Sequence, residues 1–399
     1  MRFVSLGEQR IHSIVQLRPT KKALSIYHSK VPSFTPRGRM SAMPTQNGQL
    51  EGTAAQDMAC RFIGTDISDI GSNLGDPVFR GEYHGKQAHP NDFDQILVRA
   101  RAAGVLKQIL TGDCLSGSRE VRALALEHEG LYATVGCHPC RAGEFEVGAR
   151  QEDPADVDST AKKYLGALDQ LIAEDQASGQ RRVVAVGECG LDYDRLSHCS
   201  KETQLRYFPP QLELATKYKL PLFLHSRTSE AHVDFVQIIR AHEARHTAQE
   251  ILPARKKGVV HSFTGTIDEM KELVDLGFSI GINGWSIIIS SLKTEDNLEV
   301  VKAVPLDRIL LETDCPWCEI RPSHASHRYL SEMPMKEVFI PAAIKKEKHQ
   351  VGDEKMVKGR NEPCTIGQVA WVVSKLKDLP FAEVSHHAWK NSVDMFALR

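Results

Sequence analysis

Residues 183–195 read VVAVGECGLDYDR and residues 220–227 read LPLFLHSR. Each opens on a short apolar run and then turns ionisable. Between them, Thr203–Lys217 carries apolar residues at helical spacing. A strand, an amphipathic helix and a second strand in that order imply parallel pairing, because the crossover helix returns the chain to the same end of the sheet.

Working outward, the unit recurs. Candidate strands are 62–70, Leu106–Thr111, Leu131–Gly136, Val183–Gly187, Pro221–Leu224, Val259–Val260, Phe278–Ile282 and Ile309–Glu312. Amphipathic stretches such as Phe93–Ala103 and Ile267–Leu276 fall between them. Eight units over roughly 250 residues match a closed (β/α)8 barrel. The fold class expected is therefore α/β, a (β/α)8 TIM barrel. The rival is a doubly wound open sheet, but no glycine-rich phosphate loop follows the first strand. A polar stretch at 319–362 is expected to cover the barrel mouth or loop out, and 364–378 and 381–397 read as closing helices.

The ionisable residues keep one phase across five strands. The third strand leads into His138, the fourth into Glu188, the fifth into His225 and Arg227, the sixth into His261 and the eighth into Asp314. In a barrel these ends converge on one face, where active sites lie. Any one of them alone has a plain structural reading: a satisfied histidine, a helix cap, a buried ion pair. Five at the same phase are hard to explain as packing. Two carboxylates and two or three imidazoles make a mixed oxygen and nitrogen set for Zn, Mn or Mg. Such a site suits phosphodiester hydrolysis. No serine nucleophile elbow competes.

Composition bounds the rest. The 399 residues suit one barrel with extensions, and 41% hydrophobic with 25% charged is an ordinary globular mix. The formal net charge of -1 offers no global field, so attraction to any polyanion must be local or supplied by bound metal. No apolar run is long enough to span a bilayer, so no membrane partner is expected. No obligate protein partner is expected either. Nine scattered cysteines read as free thiols in a reducing compartment. Residues 1–60 form a separate leader ahead of a barrel domain over 61–399. Eight Lys and Arg residues between Arg2 and Arg39 face one acid, Glu8, before residue 51. That reads as a mitochondrial transit segment, as a disordered extension, or as sequence upstream of a start at Met40 or Met43. With no apolar signal core, the expected location is intracellular: nucleus or cytoplasm, or the mitochondrion through the leader.

The strings at these positions resemble the TatD family of metal-dependent deoxyribonucleases, its eukaryotic branch most closely. They are DIGSNLGDPVFRGEYHGKQAHPNDF (69–93), TVGCHPCRAGEFE (134–146), VVAVGECGLDYDR (183–195), LPLFLHSR (220–227), VVHSFTGT (259–266), GINGWS (281–286), LLETDCPW (310–317) and RNEPC (360–364), in family order. The resemblance implies a TIM barrel of the metal-dependent, amidohydrolase-like hydrolase type, and hydrolysis of DNA, often from the 3′ end, with two divalent ions. It implies that Glu188 bridges them, Asp314 binds the first, and His225 and His261 bind the second. It places His138 and Arg227 near the scissile phosphate. Many relatives carry His-x-His on strand one. Here those positions are Gly71, which has no donor, and Asn73, which offers a neutral carbonyl oxygen. The first ion is then held by fewer protein ligands, which suits a Mg-like ion that keeps its waters.

Other signals are weaker. Cys315-Pro316-Trp317-Cys318 has redox spacing, but no small redox domain surrounds it. Tyr83, His84, Lys86 and His89 in the 80–89 loop, Trp285, and the basic runs 345–348 and 355–360 could each meet DNA or solvent. A metal-dependent hydrolase of an ester or amide, such as an aminoacyl-nucleic acid, and a non-catalytic DNA-binding scaffold stand as alternatives.

Overall fold

The computed structural model describes residues 66–284 and 291–399. The basic leader and Trp285 lie outside the described residues. Eight parallel strands stand in sequential order. They are β1 (Ile67–Ser72), β2 (Val105–Leu110), β3 (Leu131–Val135), β4 (Val183–Asp192), β5 (Leu222–Arg227), β6 (Gly258–Val260), β7 (Ser279–Ile282) and β8 (Ile309–Leu311). The two edges meet just beyond β8. Asp314 N–H donates to Gly71 C=O at 2.8 Å, and Asn73 N–H donates to Cys315 C=O at 2.8 Å. The sheet thus curls into a nearly closed (β/α)8 barrel.

Helices α1 (Phe93–Ala102), α2 (Leu115–Glu127), α3 (Pro154–Ala177), α4 (Lys201–Tyr218), α5 (Ser229–Arg245), α6 (Ile267–Asp275), α7 (Glu295–Ala303), α8 (Ile366–Lys377) and α9 (Phe381–Phe396) follow the strands or close the chain. Their starts are written locally. Ser200 accepts from Thr203 N–H ahead of α4, and Thr266 with Glu269 forms a reciprocal capping box at α6. Helix α8 is buried nearly all round, as its continuous apolar sequence requires.

The core has an inner and an outer part. Ile70, Ile109, Val184, Phe223, Val259 and Leu310 cluster with Met395, Phe396 and Leu398 from the end of the chain. The C-terminal segment therefore plugs the barrel interior, and removing these side chains from water supplies about 1.5–3 kcal/mol each. The larger cluster packs helices against strands, with Phe208, Phe235 and Ile239 among its members.

Several expectations shift. The first strand runs to Ser72 rather than ending at residue 70. Strands β4 and β5 extend to Asp192 and Arg227, well past the apolar runs, so Glu188, His225 and Arg227 lie within strands. Past Val186 and Leu224 the two strands pair with each other, Gly190 with His225 and Asp192 with Arg227, and this backbone hydrogen bonding overrides the polar side chains. The 319–362 stretch does not loop out. Leu330, Met333, Phe339 and Met356 in it are buried in the main core, and none of its residues lines the site cleft described below. Arg360 is buried, not solvated, bonding Asp92 at 2.8 and 2.6 Å and Glu362 at 2.9 Å. His89 is also buried, and its Nδ1 donates to Pro90 C=O at 2.8 Å while Nε2 lies 3.4 Å from the Tyr83 hydroxyl. His84 and Lys86 are exposed.

Candidate metal and phosphate site

A β-bulge aims the central carboxylate. The β4–β5 ladder pairs Gly187 with Phe223, then slips, then pairs Cys189 with Leu224. Glu188 falls at the slip, and its N–H donates instead to Gly112 C=O at 2.9 Å. Bulges of this kind re-aim side chains beside active sites.

Three imidazoles converge on one oxygen of that carboxylate. Glu188 Oε1 lies 2.7 Å from His225 Nδ1, 2.7 Å from His261 Nε2 and 3.3 Å from His138 Nε2. His138 Nδ1 accepts from Cys140 N–H at 3.0 Å, which puts its proton on Nε2, facing Glu188. His225 is flanked on both sides, with Nε2 3.1 Å from Asp192 Oδ2. His261 is flanked too, since Nδ1 stands 3.4 Å from Glu312 Oε2 without the geometry of a hydrogen bond.

The electrostatics follow from burial and this crowding. Burial pushes the Glu188 carboxyl up, but the charges of His261 and His138 and the bonds from the imidazoles carry it well below the usual carboxylate range. Burial also pushes Asp192 up, and its bond to His225 outweighs this, leaving it at about 2. Burial lowers His138, with Glu188 pulling the other way. His261 is driven down by burial and further up by Glu188 and Glu312, so it ends well above its ordinary value. Asp314 is raised by burial.

Asp314 occupies a second group. Its Oδ1 accepts from Asn73 Nδ2 at 3.0 Å and its Oδ2 from Cys318 Sγ at 3.1 Å. Its φ of +50° and the +48° of Ser262 are left-handed turns directly after site strands. Such strain costs about 1–3 kcal/mol for a residue and clusters where side-chain aim matters. Arg227 is buried, with Nη1 donating to Ser262 C=O at 3.0 Å and Thr264 Oγ1 at 2.6 Å, while Nε has no partner within the protein.

Asn73, His138, Glu188, His225, Arg227, His261 and Asp314, the whole set anticipated from sequence, line one cleft of about 460 Å³. Asp192, Cys140, Arg141, Arg195 and Trp317 line it as well. Sequence reasoning gave these five no role there. A signal for Asp192 existed: Glu188 and Asp192 are four apart, and strand residues an even number apart share a face. Trp317 lay inside a motif read only for its cysteines, yet its side chain is 55% exposed at the cleft. The two cysteines of that motif are buried free thiols. Burial raises both well above the ordinary thiol range, which removes the redox reading.

Whether these residues fit a divalent ion can be tested on the protons. His225 and His261 each face a carboxylate at both ring nitrogens. A neutral imidazole carries one N–H and one lone pair, so each would point a lone pair at an anionic oxygen unless doubly protonated. A metal ion at one nitrogen resolves the conflict with the donor types such ions take. Glu312 Oε2 and His261 Nδ1 are buried polar atoms without a hydrogen-bond partner, which fits the same conclusion. Gly71 is explained here too. A Cβ on it would lie 2.6 Å from Glu312 Oε2, so the glycine makes room for a carboxylate.

Comparison with known proteins agrees with this geometry. A family profile described as TatD related DNase matches residues 82–397. The deoxyribonuclease Tat-D of Schizosaccharomyces pombe is 46% identical over 331 residues, covering 82% of this chain and 95% of that protein. The 3′-5′ ssDNA/RNA exonuclease TatD of Erwinia amylovora is 34% identical, covering 65% of this chain and 85% of that protein. The crystal structure of an uncharacterized amidohydrolase from Saccharomyces cerevisiae is 36% identical with a TM-score of 0.72, covering 83% of this chain and all of that one. A profile match over residues 82–397, with a relative 46% identical over most of the chain, means that the chain belongs to the family of TatD-related DNases.

Proposed function

We infer that this protein is a divalent-metal-dependent deoxyribonuclease that hydrolyses phosphodiester bonds, working from the 3′ end toward the 5′ end. The observation that carries the reading is the convergence of His138, His225 and His261 on Glu188 Oε1 within 3.3 Å. The name of the Erwinia relative supports the direction of cutting.

The cleft residues fall into roles. Glu188 would be the ligand shared between two ions, Asp314 with Asn73 beside it would hold the first, and His225 and His261 would hold the second. Mg, Mn and Zn all match these donors. When bound, such ions lower the pKa of water and offset charge on the attacking and leaving oxygens. Asp192 holds His225 in register through Nε2. Asp314, raised by burial, receives a proton from the attacking water. His138, kept neutral by burial, and Arg227, whose Nε is free, offset charge on the phosphate.

The substrate is a polyanion and the protein is near neutral overall, so capture is local. Arg141, Arg195 and Arg227 line the cleft beside Asp113, Glu188, Asp192 and Asp314, so bound divalent ions would supply the net positive field that draws the phosphates. Among the described residues no helix is long and apolar enough to cross a membrane. Nuclear, cytoplasmic or mitochondrial residence remains part of the proposal.

The test is degradation of an end-labelled single-stranded DNA by metal-stripped protein, with Mg, Mn or Zn restored and Asp314→Ala as control. Metal-dependent shortening from the 3′ end, lost in the variant, is expected. Intact DNA under every metal would shift the reading to an ester or amide hydrolase or to a scaffold.

A further inference from the structure

A second cluster of metal-type donors lies on the outer wall of the barrel. Glu213 stands on α4 and His242 on α5, while His246 directly follows the end of α5. Residues four apart share a helix face, and the two imidazole rings lie 4.6 Å apart, centroid to centroid. Glu213 reaches across from the neighbouring helix to both. Its Oε1 is 3.1 Å from His242 Nδ1 and its Oε2 is 2.9 Å from His246 Nε2. None of the three lines the catalytic cleft.

We propose that Glu213, His242 and His246 form a zinc site that staples α4 to α5. Two imidazoles and a carboxylate, with a fourth position open to water, are a zinc donor set. The three donor atoms already lie within 4.8 Å of one another. Donors around a tetrahedral zinc are spaced by roughly 3.3 Å, given bonds of about 2.0 Å, so small side-chain rotations suffice.

The surroundings favour His242 as the anchor. Its side chain is only 5% exposed, which fixes the ring. Its other nitrogen, Nε2, lies 2.9 Å from Thr216 Oγ1 on α4. A hydroxyl can accept as well as donate, so Thr216 can take an Nε2 proton and leave the Nδ1 lone pair for the ion.

One cation competes. Arg245 Nη2 donates to Glu213 Oε1 at 3.1 Å from a side chain that is 54% exposed. An exposed ion pair of this kind adds little, so zinc displaces it at little cost. Glu250 Oε2 lies 3.9 Å from His246 Nδ1, close enough to orient that ring through its unused nitrogen.

The test is zinc binding to the metal-stripped full-length protein, counted after gel filtration and followed by the visible spectrum of Co substituted for Zn. His246→Ala and Glu213→Gln should each hold about one equivalent less than the wild type, as removal of one three-ligand site requires. His225→Ala, which alters the catalytic cleft, should keep the outer equivalent and its zinc-dependent rise in Tm. His246→Ala should lose that rise while cleaving DNA at the wild-type rate. Equal zinc content and equal zinc-dependent Tm in His246→Ala, Glu213→Gln and wild type would overturn the proposal and leave the cluster an ion pair. Failure of the nuclease assay would leave this result untouched, because its readout is zinc content.

Discussion

His225 Nδ1 lies 2.7 Å from Glu188 Oε1, and the opposite nitrogen of the same ring lies 3.1 Å from Asp192 Oδ2. The imidazole is held between two carboxylates from one strand. That single arrangement fixes the ring plane, commits both nitrogens and holds Asp192 below the usual carboxylate range.

Glu188→Gln keeps the shape of the side chain and removes its charge. The amide cannot serve as an anionic ligand shared between ions. Cleavage of single-stranded DNA should fall by at least about a thousandfold, the upper range for loss of one pre-positioned electrostatic group. Circular dichroism and Tm of the metal-free protein should show the fold retained. Wild-type turnover in a preparation free of contaminating nuclease would refute the assignment.

Asp192→Asn tests the outer partner of His225. The ligand itself stays, but its orientation and basicity are no longer set. Affinity for the added metal should weaken by about 10–100-fold, the usual effect of losing a group that orients a ligating histidine. Excess metal should restore much of the rate. A variant with unchanged metal dependence would show that Asp192 only fills space.

Trp317→Ala tests the exposed indole at the cleft. Stacking of one base on an aromatic ring is worth about 1–3 kcal/mol, so KM for single-stranded DNA should rise by about 5- to 150-fold. The side chain is 55% exposed, so Tm should change little. Equal KM values with a chromogenic phosphodiester that has no base to stack would separate stacking from general damage.

Asp69 gives the protein a pH-dependent stability. Burial pushes its carboxyl up to about 8, against the pull of bonds from Thr313 and Gly71. The folded state keeps this proton where the unfolded chain, near its ordinary value, has lost it. Unfolding therefore releases a proton between roughly pH 4 and pH 8, and stability falls as pH rises through that window. The slope from this one group is at most about 1.4 kcal/mol per pH unit. Asp69→Asn carries no titrating proton, and denaturation in chelator from pH 5 to 9 should show a flatter profile than wild type. Parallel profiles would place the titration elsewhere.

The sequence determined the barrel and its phase. Apolar runs such as 183–187 and 309–311 are local facts, and their alternation with helical spacing leaves parallel pairing as the solution. Because every strand of a barrel points the same way, the phase of His138, Glu188, His225, His261 and Asp314 already placed them at one mouth. Tertiary structure alone decided which atoms meet. The bulge at Glu188 depends on the register of β4 against β5, and no local propensity sets it. Asp192 and Glu312 could be seen as acids in strands, but which histidine each faces depends on the curl of the sheet. Arg360 and His89 looked like exposed basic residues until Asp92 and His349 closed over them. Glu213, 29 residues before His242, meets it only because α4 and α5 pack side by side. Sequence carries periodicity and residue type; contacts between distant segments appear only when burial brings them together.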